Sequence, residues 1–248
     1  MTIADKLTQL NIIKQDIKTA INNKGGSVAN DFTIYANAIT SLPSDGGGDV
    51  EYGSPVTITV KFGLATVKTI TAGSFDGWAT PTGLVIEEGY DTIADKAFNR
   101  WTNVESISLP ASLRTIGTDS FYNAAKCKAL TFKNGLTSIG TRAFYSCGVL
   151  NINLPDSLKT IATDAFAFCN KCTELTIGFG VTNIAGSAFA SMAALKTINS
   201  KPTTPPAILS NTFSGLPVYC VIKVPSASLD TYKTAQHWSV HASKMVGI

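Results

Sequence analysis

Two cysteines three residues apart, Cys169 and Cys172, have the spacing of a redox pair or of half a zinc site. A zinc ribbon needs a second such pair, and Cys127, Cys147 and Cys220 do not supply one. Five is an odd number, so the cysteines cannot all pair within one chain. His237 and His241 stand four apart, so a helix would carry both on one face. The zinc-protease pattern also needs a Glu directly after the first His and a third ligand, and Trp238 follows instead. Glu87 and Glu88 are neighbouring carboxylates at the end of an apolar stretch, where solvent is the expected surrounding. Serines are plentiful, but there is no Gly-x-Ser-x-Gly elbow and no glycine loop closing on Lys-Ser or Lys-Thr. These residues do not converge on catalysis: no enzyme activity, no metal and no cofactor is expected.

Composition narrows the reading further. The chain has 248 residues and a mass of 26.1 kDa, with 44% hydrophobic and 15% charged residues and a net charge of +3. Such a chain can bury a core. The small charge excess does not provide the clustered basic surface that nucleic acid requires. No run of eighteen apolar residues exists, so neither a membrane span nor a membrane partner is expected. The longest apolar run near the start, Leu10 to Ile13, is interrupted by Asn11, which argues against a signal peptide; Met1 argues against trimming.

The elements come from a repeat. Phe75, Phe98, Phe121, Phe144, Phe166, Phe189 and Phe213 are spaced 23, 23, 23, 22, 23 and 24 residues apart. Five residues before each stands an Ile: Ile70, Ile93, Ile116, Ile139, Ile161, Ile184 and Ile208. Ala97, Ala143, Ala165 and Ala188 precede four of the Phe residues. Eight or nine residues after the Phe come Leu84, Ile107, Leu130, Ile152, Leu175, Ile198 and Ile222, inside stretches that alternate apolar and polar as a half-buried strand does. Cys147 and Cys169 fall three after the Phe, where Trp101 and Leu216 stand in other units, and Cys172 falls six after, with Val104, Cys127, Leu195 and Tyr219. The repeat thus accounts for these thiols as small core hydrophobes. Cys220 is off the register and is expected to be the most exposed, open to an intersubunit bond.

One such unit cannot bury its own apolar face, but stacked units can. The expected fold is mostly β with short helices, of α/β type: a solenoid of about seven coils of 22–24 residues. Its parallel strands, about 4.8 Å apart, make a rod roughly 30 Å long. Val56 to Val60 reads as a strand capping the start. From Pro225 onward a cap is expected, with Ser226 as N-cap of a helix carrying Leu229 and Tyr232, and with Trp238 and Met245 over the last coil.

The unit from Gly135 through Ile139, Arg142, Ala143, Phe144 and Tyr145 to Cys147, followed by Leu150-Asn-Ile-Asn-Leu-Pro155, resembles the BspA-type leucine-rich repeat. The tail from Val224 and Pro225 through Tyr232, Trp238 and Lys244 resembles the terminal unit of such arrays. The resemblance covers about residues 64–248. It implies a leucine-rich-repeat solenoid and, by function, an adhesin or binding scaffold; these repeats also occur in phage proteins.

Residues 1–44 read as a different object. Ile3, Leu10 and Ile17 are seven apart, with Leu7 and Ile21 on an adjacent track and Ile13 beside them, the seam of a short helix. Phe32, Tyr35, Ala36, Ile39 and Leu42 mark a second. Two such helices are marginal alone, so they are expected to dock on the repeat domain, on copies of themselves or on a partner, and so to serve as an oligomerisation or attachment segment. Residues 45–54, with Gly46, Gly47 and Gly48, read as a linker, and 55–248 as the solenoid with its cap. The stretch from Ile13 to Gly25, with Phe32, Tyr35, Ile39 and Leu42, resembles the N-terminal segment of phage tail and fibre proteins. That resemblance implies a virion protein assembled in the host cytoplasm, a homo-oligomer with a trimer favoured, and other virion proteins as partners of the helices.

The surface remains as the candidate ligand site. Asn151, Asn153, Glu174 and Thr176 lie at outward strand positions, a polar face that fits a glycan or protein and equally fits a solvated sheet. Tyr122 and Tyr145 follow the repeat Phe on adjacent coils, with Phe168 close by, an aromatic patch for sugar or protein or else packing between coils. The function expected is a non-enzymatic phage virion protein, a tail or head fibre or accessory protein, that binds a host-surface glycan or protein or decorates the particle. The alternatives are a bacterial cell-surface adhesin of the BspA type and an intracellular protein-binding scaffold.

Overall fold

The computed structural model describes residues 57–60, 69–78 and 81–248. The expected helical segment 1–44, with Ile3, Leu7, Leu10, Ile13, Ile17 and Ile21, and the linker 45–54 lie outside the described residues. Through β12 the coils contribute a longer strand and a two-residue one in alternation, and the last three strands are all longer ones. In chain order these are β1 (Thr57–Val60), β2 (Thr69–Ile70), β3 (Gly83–Ile86), β4 (Thr92–Ile93), β5 (Ser106–Ser108), β6 (Thr115–Ile116), β7 (Ala129–Thr131) and β8 (Ser138–Ile139). Then follow β9 (Asn151–Asn153), β10 (Thr160–Ile161), β11 (Glu174–Ile177), β12 (Asn183–Ile184), β13 (Thr197–Ser200), β14 (Val221–Val224) and β15 (Met245–Gly247).

All the pairing is parallel. The short strands stack in the order β2-β4-β6-β8-β10-β12, putting Ile70, Ile93, Ile116, Ile139, Ile161 and Ile184 in one column. The long strands stack as β1-β3-β5-β7 and β9-β11-β13-β14-β15, with Leu84, Ile107 and Leu130 in register in the first and Ile152, Leu175, Ile198 and Ile222 in the second. The break between β7 and β9 falls in the one 22-residue unit. Gly148 makes the shortened path feasible: a Cβ there would run into the carbonyl of Ala125.

Between the two ladders runs the Phe column. Phe98, Phe121, Phe144, Phe166 and Phe189 are all buried. Their rings stack at 5.1–5.6 Å with interplanar angles of 6–9°. Each Phe sits in a turn bracketed by two left-handed residues, two before and two after it. In one unit these are Lys96 (φ 57°) and Arg100 (φ 62°), in the next Asp119 (54°) and Asn123 (61°), and then Arg142 (51°) and Ser146 (58°). In that turn the Phe amide donates forward to the next coil: Phe98 to Ser120 O at 2.9 Å, Phe121 to Ala143 O at 2.8 Å, Phe144 to Ala165 O at 2.8 Å. Beside the short strands the sense reverses, as when Gly117 N donates back to Ile93 O at 2.7 Å.

The residue before each Phe has no room for more than a methyl or a hydroxyl. Ala97, Ala143, Ala165 and Ala188 are fully buried. Where a hydroxyl replaces Ala, it finds a carbonyl: Ser120 Oγ donates to Gly117 O at 2.6 Å, and Thr212 Oγ1 to Ala185 O at 3.1 Å. That satisfies a buried polar group that would otherwise cost stability.

The array makes about eight turns, one more than the seven Phe-bearing coils. The extra turn is the cap itself. β15 pairs with β14 in register, Ile222 opposite Met245, so the cap keeps the 23-residue period. A short helix α1 (Leu229–Thr234) stands in place of the usual turn. Trp238 takes over from the Phe column, with its ring centroid 5.5 Å from Phe213 and its Nε1 donating to Pro206 O at 2.8 Å. Tyr232 OH donates to Pro202 O at 2.8 Å. Ser226 is not a helix N-cap: it begins a 3-10 turn, Ser226–Ser228, without a side-chain capping bond. Cys220 is likewise buried, not exposed. Pro217 alters the last turn so that Cys220 N bonds Pro217 O, the position Leu195 fills against Met192 O one coil earlier. Cys220 thereby takes the core slot and Tyr219 turns outward.

Candidate functional site

The fold brings the expected surface residues to two separate faces. On the long-strand ladder, β9 and β11 place Asn151 opposite Glu174 and Asn153 opposite Thr176. Asn151, Asn153 and Glu174 are exposed and Thr176 is half-buried. Polar side chains here largely satisfy one another: Asn199 Nδ2 donates to Glu174 Oε1 at 2.7 Å, and Thr173 Oγ1 to Asn151 Oδ1 at 3.3 Å. These bonds run across coils.

The second face is the turn ridge. Tyr122 and Tyr145, each one residue after a core Phe, stack on each other at 5.2 Å with an interplanar angle of 11°. Phe168 continues the column at 5.1 Å from Tyr145 but is tilted by 46°. The tilt has a local cause: Phe168 stands two residues after its Phe, in the left-handed position (φ 61°), not one. It is 43% exposed, while both tyrosines are half-buried.

At the Tyr122 end the column opens onto a depression of about 270 Å³ lined by Lys96, Asn99, Arg100, Asp119, Tyr122 and Arg142. Arg142 is ion-paired with Asp119, Nη2 donating to Oδ2 at 2.9 Å and Nε lying 2.9 Å from Oδ1. Asn99 is nearly buried and donates to Asp76 Oδ1 at 3.0 Å. The cations escaped sequence reasoning because the positions two before and two after the Phe carry Gly, Lys, Asp, Arg, Ser, Asn and Phe in different coils, which reads as variable turn. The signal was the left-handed turn geometry, which carries both Lys96 and Arg100 on one unit, flanking Phe98.

The residues with chemical potential are inert in place. Cys127, Cys147, Cys169, Cys172 and Cys220 are free and buried. Burial pushes every thiol up, Cys127 and Cys172 to about 12 and Cys220 to about 11. A neutral thiol is neither nucleophile nor metal ligand. Cys147 and Cys169 instead donate weakly to Phe121 O and Phe144 O. Among the described residues no group of three His, Cys, Asp or Glu could hold a metal ion. His241 is held below the usual histidine range by burial first and Lys244 second, and packs edge-on to Phe213. Glu88 is held below its usual range mainly by the amides of Ala111 and Ser112, each donating at 2.8 Å, so it staples two coils together.

The model of the BspA type leucine-rich repeat region matches residues 91–218 in six copies. The chain belongs to this family. The matched BspA-type repeats contain the whole aromatic column and the depression beside it. No curated protein matches the chain. Among solved structures, the T. pallidum leucine-rich repeat protein is 23% identical, with 69% of this chain and 73% of that one covered and a TM-score of 0.46. A leucine-rich repeat protein from Bacteroides ovatus is 18% identical, covering 73% and 69%, with a TM-score of 0.32. A leucine-rich cell surface protein from Faecalibacterium prausnitzii is 16% identical, covering 71% and 83%, with a TM-score of 0.30.

Proposed function

We propose that this BspA-type solenoid is a non-enzymatic binding module that engages a cell-surface glycan or protein through the Tyr122, Tyr145 and Phe168 column. One observation carries the reading: Tyr122 and Tyr145 stack half-buried on the turn ridge with an exposed Phe168 tilted beside them, outside a core that already has its own Phe column. Aromatic faces bind the apolar faces of sugars and protein side chains at low conformational cost. Stacked coils hold the rings at fixed spacing, so little entropy is lost on docking. The thiols and His241 are engaged in packing, which fits a module that binds and does not catalyse.

In the fuller reading the module belongs to a phage virion. The helices of residues 1–44 attach or trimerise it, and multiple weak sites add up through avidity. That part rests on the resemblance of Ile13 to Gly25 and its flanks to tail and fibre proteins. A bacterial surface adhesin of the same family is the second reading, favoured by the repeat family itself. Binding of the full chain to cells, with and without Tyr122→Ala plus Tyr145→Ala, tests the face. Loss of binding at an unchanged melting temperature is expected; undiminished binding by the folded double variant removes the column as the site. Light scattering on the full chain separates the two readings: a trimer supports the virion protein, a monomer the adhesin.

A further inference from the structure

We propose that the depression beside Tyr122 receives the oxyanion group, carboxylate or phosphate, of an acidic saccharide whose ring lies against Tyr122 and Tyr145. The proposal rests on the aromatic column being the ligand face and adds the chemical class of the ligand.

The argument starts with where the charges go. Lys96 and Arg100 occupy the two left-handed positions around Phe98, and both line the depression together with Tyr122 and Arg142. Three cations thus meet one lining carboxylate, Asp119, which is ion-paired with Arg142: Oδ2 accepts from Nη2, while the buried Oδ1 lies near Nε without accepting a hydrogen bond. That pair fixes Arg142 and leaves Lys96 and Arg100 uncompensated by it. Nearby carboxylates are also committed. Asp95 accepts from Thr118 N at 2.7 Å. Asp76 accepts from Asn99 and also forms a long ion pair with Arg100, 3.7 Å from its Nε, which leaves Lys96 as the cation without a partner carboxylate among the described residues.

A neutral ligand seated on Tyr122 would strip water from Lys96 and Arg100 and return no counter-charge, an uphill exchange. An oxyanion reverses the sign: a guanidinium fork and an ammonium are suited to carboxylate and phosphate. A saccharide supplies the other half, a C–H face for the rings. Acidic sugars combine both within one residue, matching cations that share a depression with Tyr122, on which Tyr145 stacks.

The test uses the full chain and paired probes. A galacturonate oligosaccharide and its methyl ester differ only in charge, and a polyglycerol phosphate supplies the charge without a sugar ring. Calorimetry at low salt is expected to show binding of the acid in preference to the ring-free phosphate polymer. Esterification, Lys96→Gln and Arg100→Gln should each weaken it about tenfold or more, since bonds to charged groups are at stake. Binding should also fall with added salt. Preference for the acid supports the proposal; binding of the polymer alone, which has no sugar ring to lie on the tyrosines, overturns the saccharide assignment. Equal binding of acid and ester, lost in Tyr145→Ala, overturns the charge assignment while the aromatic face stands. Failure of every probe, with cell binding indifferent to both tyrosines, overturns the proposal and the face together. The ester comparison needs no variant, so misfolding cannot blur it.

Discussion

Phe144 and Tyr145 are neighbours in sequence and opposite in role, which makes them a sharp test of the fold. Phe144 is fully buried, stacked at 5.1 Å on both Phe121 and Phe166, with Phe132 edge-on at 5.5 Å. A buried Phe removes on the order of 150–200 Å² from water, worth about 4–5 kcal/mol at about 25 cal/mol per Å². Alanine keeps part of that and leaves a cavity, so Phe144→Ala should cost about 3–5 kcal/mol. For a chain of this size that is a fall in melting temperature of about 10 °C. Tyr145→Ala removes a half-buried ring with an open face and should cost about 1 kcal/mol or less. Thermal unfolding followed by circular dichroism reads both. A Phe144→Ala protein melting within about 2 °C of the parent, or a Tyr145→Ala protein equally damaged, would refute the placement of the Phe column in the core.

Trp238→Ala should uncover Phe213 and lose the bond to Pro206 O. Hydrogen exchange should then rise in β13, β14 and β15 first and leave β4 to β8 protected, because each coil leans only on its neighbours. Gly148→Ala should destabilise by more than 1 kcal/mol in urea, since the Ala125 carbonyl occupies the space a Cβ needs. The thiols predict a pH dependence. Folded Cys127 and Cys172 keep their protons to about pH 12, while unfolded thiols release theirs near 8.5. Above that lower value the folded state binds more protons, so stability falls as pH rises from about 9 towards 12. Cys172→Ala should flatten that fall, and native protein at pH 8 should resist a thiol reagent until denaturant is added.

Much of this architecture was legible because the core is written at fixed intervals. An Ile five before a Phe, seven times over, leaves few folds that could use it, and the strand register follows directly. What was not legible depended on insertions and on backbone handedness. After Phe213, in the turn that contains Pro217, the core slot moves from Tyr219 to Cys220, a shift that counting alone cannot resolve. The cap was visible as apolar residues after Pro225, but not as an eighth coil, because helix α1 hides the repeat while β15 keeps its period. On the surface, the Tyr122 and Tyr145 pair was readable from its register, whereas the polar strand face with Asn151 and Glu174 turned out to be bonded to itself. Lys96 and Arg100 were unreadable as partners of Tyr122, since only the left-handed turns bring adjacent coils into one depression.

The sense of the hydrogen bonds gives the array a head and a tail. On the turn ridge each coil offers amides to its successor, and beside the short strands it offers carbonyls to it. Any coil therefore presents the same pair of mating rims as any other, like a link in a chain. A duplication of 23 codons would insert a link that fits both neighbours. A different residue at the position after the Phe would then lengthen or interrupt the aromatic ridge without disturbing what lies beneath it. Such a gene can change the reach and the reading of its surface by copying and respelling units, while the stack that carries them stays the same.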